Sequence, residues 1–421
     1  MPQDDATDNR IASAAGNAAT PWVVLGVVWL TLGAAYGIFF SFPIFFIPLI
    51  EEFRWSRGLT AGAYSLSAVM QGILSPVIGM LVDRVGPRPI ILAGVVFLSA
   101  ASMLASLIQS PWHLYLLTGV LAAAGVTAVG WVPSSALLSR WFSHHRGRMI
   151  GLAFSGMGIG VLGVGPLAQW LIAGGGWRRA YLILGAATFL LLGPLIWFGV
   201  TEAPAPASPT SPKRHAPPQA EEPSVRAALA TRKFWGLFLA YFFTPLAVFP
   251  VLTHQVAFSV DQGFSPMFVA GIFGLMGLMS SIGRIFFGAL SDWMGREPAA
   301  TLSFGCTAAG TGALLLLEVQ PHAGWLYAYA LLFGLGFGAR GPIITAMATE
   351  LFAGRRFGAI YGIMNLGNGL GGAIGPVFGG AVHDLTGSYR LAFLATLGVC
   401  VVAAACFWIA RSGAGPRKLP R

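Results

Sequence analysis

Charge is what this sequence has least of. Only 10% of its 421 residues are Asp, Glu, Lys or Arg, against about 25% in ordinary soluble domains, which excludes a soluble enzyme with a large core and a charged surface. Cysteine is scarce too. Cys306, Cys400 and Cys406 all fall in apolar segments without metal-ligand spacing, so neither a disulfide framework nor a metal site is read, and no cofactor is expected. The first twenty residues lack a basic region leading into an apolar one, so no cleavable signal peptide is evident and a disordered tail is expected. Acids are missing where they would matter most. All fifteen Asp and Glu residues lie in tails, loops or the ends of apolar stretches, never in mid-stretch.

Apolar residues make up 56% of the chain and the mean hydropathy is +0.72. An apolar run of roughly 18 residues or more is long enough to cross a bilayer as a helix. Twelve such spans can be drawn, at approximately 22–50, 58–82, 87–109, 112–139, 147–174, 178–200, 234–259, 265–291, 298–318, 323–350, 357–382 and 389–411. The fold class is therefore an all-α membrane protein. Between the sixth and seventh spans lies "TEAPAPASPTSPKRHAPPQAEEPSVRAALA" (201–230), a linker by its Pro, Ala and charge content. The chain divides into an N-terminal tail (1–21), a six-helix bundle (22–200), a central linker (201–232), a second six-helix bundle (233–411) and a basic tail (412–421).

The two halves repeat. "GMLVDRVGPR" (79–88) returns as "GALSDWMGRE" (288–297), "GWVPSSALLSRWF" (130–142) loosely as "ARGPIITAMATELF" (339–352), "GVGPLA" (163–168) as "AIGPVF" (373–378), and "WRRAY" (177–181) as "YRLAF" (389–393). Internal repeats of this size mark transporters whose halves rock about a central site. Basic residues set the orientation. With both termini in the cytoplasm, eighteen of the 25 Lys and Arg residues fall on the cytoplasmic side and five on the other. The net charge of +10 is then a topology signal with attraction to anionic lipid, not a nucleic-acid surface. An integral, multi-pass protein follows, and a bacterial inner membrane is the expected location. Nothing calls for more than one copy.

The remaining two cations, Arg284 and Arg340, lie inside spans. Arginine at a helix centre costs about 2.5–3.5 kcal/mol on insertion scales and normally faces a cavity or a partner. With no mid-span acid to pair with, such a cavity should attract an anion, whose carboxylate suits a guanidinium fork.

"GMLVDRVGPR" and its weaker second copy resemble the loop signature of the major facilitator superfamily. Within it, "EEFRWSRGLT" (51–60), "RWFSHHRGRMIGLAFSGMGIG" (140–160) and "GRRFGAIYGIMNLGNGLGGAIGP" (354–376) look like the monocarboxylate transporter and oxalate:formate antiporter group. The resemblance implies that Asp83, Arg84, Arg88, Asp292 and Arg296 latch the halves together in one state and release them in another; simple turn residues are the plainer alternative. It also implies that Arg284 binds the substrate. Arg340, in "GLGFGARGP", is a second candidate for binding or gating, or a helix-packing residue. His254 could donate to a carboxylate or carry a proton. Asn365, Asn368, Tyr361, Tyr36 and Tyr64 are weaker candidates for the cavity wall. "SGMGIGVLGVGP" (155–166) resembles a superfamily antiporter motif, with close helix packing as its physical reading.

Three departures narrow the resemblance. Proton-coupled eukaryotic members carry an aspartate where this chain has Ser280. The first span has neither Lys nor Arg. Asn368 stands where the oxalate antiporter has a lysine. The expected function is secondary transport of small organic anions, monocarboxylates such as lactate or pyruvate, by proton symport or anion exchange. A multidrug or metabolite exporter of the same fold is the alternative, and a membrane sensor is a third reading. No nucleophile, base or metal set suggests an enzyme.

Overall fold

The computed structural model describes residues 4–142, 146–200, 225–352 and 357–411, and among them there is no strand. In hydrocarbon every backbone N–H and C=O must bond inside its own segment, and helices do this. Helix α1 (Asp4–Phe40) hands over at Ser41 to α2 (Phe42–Phe53), which has Pro43 in its first turn. Because α1 begins at Asp4, residues 4–20 are helical where a disordered tail was expected. The alanines of this stretch favour helix.

Helix α3 (Arg57–Val85) starts behind Ser56, whose hydroxyl accepts from the Leu59 N–H, and stops at Gly86 with φ 85°. Helix α4 (Pro87–Ala105) follows at once. The fourth span is built from α5 (Pro111–Leu114), a π-helical run (Tyr115–Ala122), α6 (Ala123–Val129) and α7 (Trp131–Trp141), with Gly130 breaking the last two apart. Helix α8 (Arg146–Gly199) contains two spans that turn on Gly176, φ 77°.

The short α9 (Val225–Leu229) forms the described end of the expected linker. Residues 201–224 and the tail 412–421 lie outside the described residues. The second half comprises α10 (Arg232–Asp261), α11 (Pro266–Met294), α12 (Arg296–Val319), α13 (Ala323–Phe352), α14 (Phe357–Thr386) and α15 (Arg390–Ile409). Among the described residues ten stretches are long and apolar enough to cross a membrane. One of them is the double span α8; the 30-residue α14, long enough to cross though not among the ten, stands where the eleventh of the twelve expected spans falls.

The repeat extends to the backbone devices. Ser265 caps α11 as Ser56 caps α3, and Gly295 (φ 99°) ends α11 as Gly86 ends α3. Each half packs as its own bundle, and the halves meet along two seams, α3 against α14 and the first part of α8 against α11. Glycine makes the second seam tight. A Cβ on Gly158 would lie 2.1 Å from the Gly277 carbonyl oxygen.

Candidate functional site

Arg284 lies on the α8–α11 seam, ten residues before the end of α11, so about 15 Å along the helix from that end. Its side chain is half-buried and its Nη1 donates across the seam to the Phe154 carbonyl on α8. One turn earlier Ser281 donates to the Ser155 carbonyl at 2.7 Å. No carboxylate among the described residues pairs with Arg284. Its guanidinium instead borders a narrow cavity with Ser280, Gly158 and Gly277, walled by apolar side chains of both halves. Tyr36 is within electrostatic reach of the cation. Phe154, whose carbonyl takes the Arg284 proton, stacks its ring on Trp131 at 3.8 Å.

Arg340 does not share this cavity. It is 1% exposed and turns into its own half, donating from Nε to the Gly336 carbonyl at 3.2 Å and from Nη2 to Thr307 Oγ1 at 2.7 Å. The Phe304 ring lies 4.5 Å from its guanidinium carbon. The position expected to add a second cation to the cavity is occupied by a packing residue between α13 and α12. His254 is also fully buried away from Arg284. Its Nε2 bonds the Pro376 carbonyl at 2.8 Å, and its ring lies between Phe46 and Tyr389. Counting residues along α10 and α11 sets it roughly 15–20 Å beyond Arg284 along the helix axes.

Tyr64 is enclosed by the rings of Phe39, Phe42 and Phe249, so it packs the α3–α10 region and does not line the Arg284 cavity. Tyr361 bonds Tyr241 at 2.5 Å and Thr345 at 2.9 Å. Asn365 and Asn368 follow Tyr361 on the same face of α14 at helical spacing, Asn365 half-buried and Asn368 exposed.

The signature residues each stay within their own half. Arg296 pairs with Asp292 at 2.6 Å and with Glu350 at 3.0 Å. Arg88 donates to the Trp197 carbonyl, while Asp83 and Arg84 are exposed. At the opposite end the halves are joined. Arg57 forms a two-pronged ion pair with Asp261 at 2.6 and 3.1 Å and donates to Tyr389 Oη at 2.8 Å. Asp384 accepts from the Arg57 and Gly58 N–H groups at 2.9 and 2.8 Å. Every hydrogen bond between the halves among the described residues lies from Arg284 to this end. The halves are tied together by hydrogen bonds and an ion pair at the Arg57 end.

Reading the sequence missed Arg57, Asp261, Asp384 and Tyr389. Arg57 lies in "EEFRWSRGLT" and Tyr389 in "YRLAF", but nothing local joined them to the two acids, because the partners of Arg57 lie 204 to 332 residues away.

Two pseudo-repeated six-helix bundles, joined at the Arg57 end and holding on their seam an arginine that no carboxylate among the described residues pairs with, fit an integral multi-pass membrane transporter. The sequence matches the family described as Major Facilitator Superfamily over residues 27–342 and 313–421. The chain belongs to that superfamily. It is 28% identical over 398 residues to Monocarboxylate transporter 13 of Rattus norvegicus, covering 93% of this chain and 87% of the relative. Monocarboxylate transporter 11 of Mus musculus is 30% identical over 388 residues, covering 89% and 83%. Among solved structures, a bacterial homolog of the human lysosomal transporter Spinster, inward-facing and unoccupied, superposes with a TM-score of 0.73 at 17% identity, covering 93% and 97%. That likeness supports the fold.

Proposed function

We propose that the protein transports monocarboxylates by alternating access, with Arg284 as the residue that binds the carboxylate. The observation that carries this reading is a guanidinium at membrane depth, on the seam between the halves, with a backbone carbonyl and no acid as its described partner. A monocarboxylate supplies one negative charge and two acceptor oxygens, which matches one arginine. Arg340 is held by Thr307 and Gly336, so among the described residues Arg284 is the one cation lining the cavity. The names of the relatives point to the same substrate class. With the basic-rich signature end in the cytoplasm, the Arg57–Asp261 pair lies toward the outer face.

Ser280 favours anion exchange over proton symport. An aspartate there would balance Arg284 when the site is empty and take a proton with the substrate. Serine does neither, so the empty cation is best compensated by a second anion on the return crossing. Counterflow in proteoliposomes tests both parts. Unlabelled monocarboxylate inside should accelerate uptake of labelled monocarboxylate, and Arg284→Ala should abolish it. Undiminished counterflow in that variant would overturn the assignment.

A further inference from the structure

The wall of the Arg284 cavity says more about the substrate than the cation alone does. It is formed by Phe40 on α1, Met157 on α8, Leu252 on α10, Phe273 and Met276 on α11, and Phe337 on α13. Phe40 and Phe337 come from opposite halves and meet edge to face, centroids 6.2 Å apart and planes at 84°. Both are half-buried, so a ligand's body can insert between them as the halves part. Apart from Arg284, Ser280 is the only lining side chain with a hydrogen-bonding oxygen or nitrogen. Its hydroxyl hydrogen is already given to the Gly277 carbonyl at 2.7 Å. The wall runs along α11 from Arg284 back to Phe273, about 16 Å of helix.

Building on the reading of Arg284 as the carboxylate-binding residue, we infer that the preferred substrate is a carboxylate with an unsubstituted apolar body: medium-chain, branched-chain or aromatic. The head group sits on Arg284, and the body lies between Phe40 and Phe337 against Met276 and Phe273. A keto oxygen beside the carboxylate is an acceptor that finds no further donor on this wall. An α-hydroxyl finds only the Ser280 oxygen. A second carboxylate would be desolvated without a cation. Lactate, pyruvate and small dianions therefore gain least, while each methylene that becomes buried raises affinity about fourfold. Phe337 and Phe40 set this specificity, and Arg284 sets the charge.

The test is a stabilisation series on the purified full chain with acetate, butyrate, hexanoate, 4-methylpentanoate, phenylacetate, pyruvate, lactate and succinate. The half-saturating concentration should fall about threefold to fourfold per methylene from acetate to hexanoate. Pyruvate and lactate should bind no tighter than butyrate, and succinate should bind more weakly. Phe337→Ala should flatten the series, and Phe337→Leu should keep most of it. Should Phe337→Ala not fold, Met276→Ala on the same wall is expected to flatten the series in its place.

Tenfold tighter binding of pyruvate or lactate than of butyrate would overturn the inference. So would an unchanged series in the folded wall variants. If carboxylates bind through Arg284 without dependence on chain length, this inference fails and the reading of Arg284 stands. If the whole series survives Arg284→Ala, or no carboxylate binds at all, the reading of Arg284 fails as well.

Discussion

Arg284 and Arg340 are two arginines at membrane depth whose surroundings give them different work. Arg340 is spent on structure, held by Thr307, Gly336 and the face of Phe304. Thr307→Val removes the hydroxyl that receives its Nη2 and leaves a buried donor unpaired. That should lower stability by about 1–3 kcal/mol without changing carboxylate affinity, which thermal unfolding with and without ligand would separate.

On the proposed reading Arg284 keeps its charge for a ligand, and Ser280→Asp should change how. An ionised aspartate one turn away competes with the substrate for Arg284. As pH falls through its pKa the aspartate is neutralised, the cation is freed and anion affinity rises. The variant should therefore bind more tightly at about pH 5.5 than at pH 8, while the natural chain, with an always-charged arginine, stays nearly flat. Equal pH profiles would contradict this coupling. Arg284 was legible in the sequence because an unpaired cation in a greasy span stands out in one dimension. The burial of Arg340 and His254 was not, since one residue rotates a side chain by 100° and only the neighbouring helices decide what it meets.

Between elements, the account rests on how closely α8 and α11 approach. "SGMGIGVLGVGP" could be read as a motif or as close packing, and Gly156, Gly158, Gly160 and Gly165 do pack, whereas Gly163 faces open space. Gly160 sits against Gly33 of α1, and Gly158 sits against Gly277 of α11. Gly158→Leu should force α8 from α11 and separate the Phe154 carbonyl from Arg284. Transport is expected to fall more than tenfold while circular dichroism keeps its helical signal. Gly271→Ala, with nothing within 4 Å of the new Cβ, should leave transport unchanged. Equal effects of the two substitutions would show that the seam does not position the site. The twelve spans were legible because hydropathy and length identify a membrane helix by itself. Which helices touch was not, because glycine-rich faces resemble one another and the partner is chosen in three dimensions.

For the whole molecule, the halves are joined at the Arg57 end. Repeats at a shift near 209 residues made the two bundles legible from sequence alone. The closed end was hidden, because Arg57, Asp261 and Asp384 come together only when the bundles dock. Asp261→Asn removes the charged partner of Arg57 and should shift the population toward opening at that end. A thiol placed at Ala381 in a chain lacking its native cysteines should then label faster from outside than in the parent. Unchanged labelling would show that the ion pair does not hold the closed state.

The most direct test of the central claim is the thermal stability of the purified protein titrated with a monocarboxylate. Binding to the folded state should stabilise the natural chain by about 2.7 kcal/mol at a hundred times the dissociation constant. Arg284→Ala should unfold at a similar temperature without ligand and gain nothing from it. Full stabilisation of Arg284→Ala by the same anion would contradict the account.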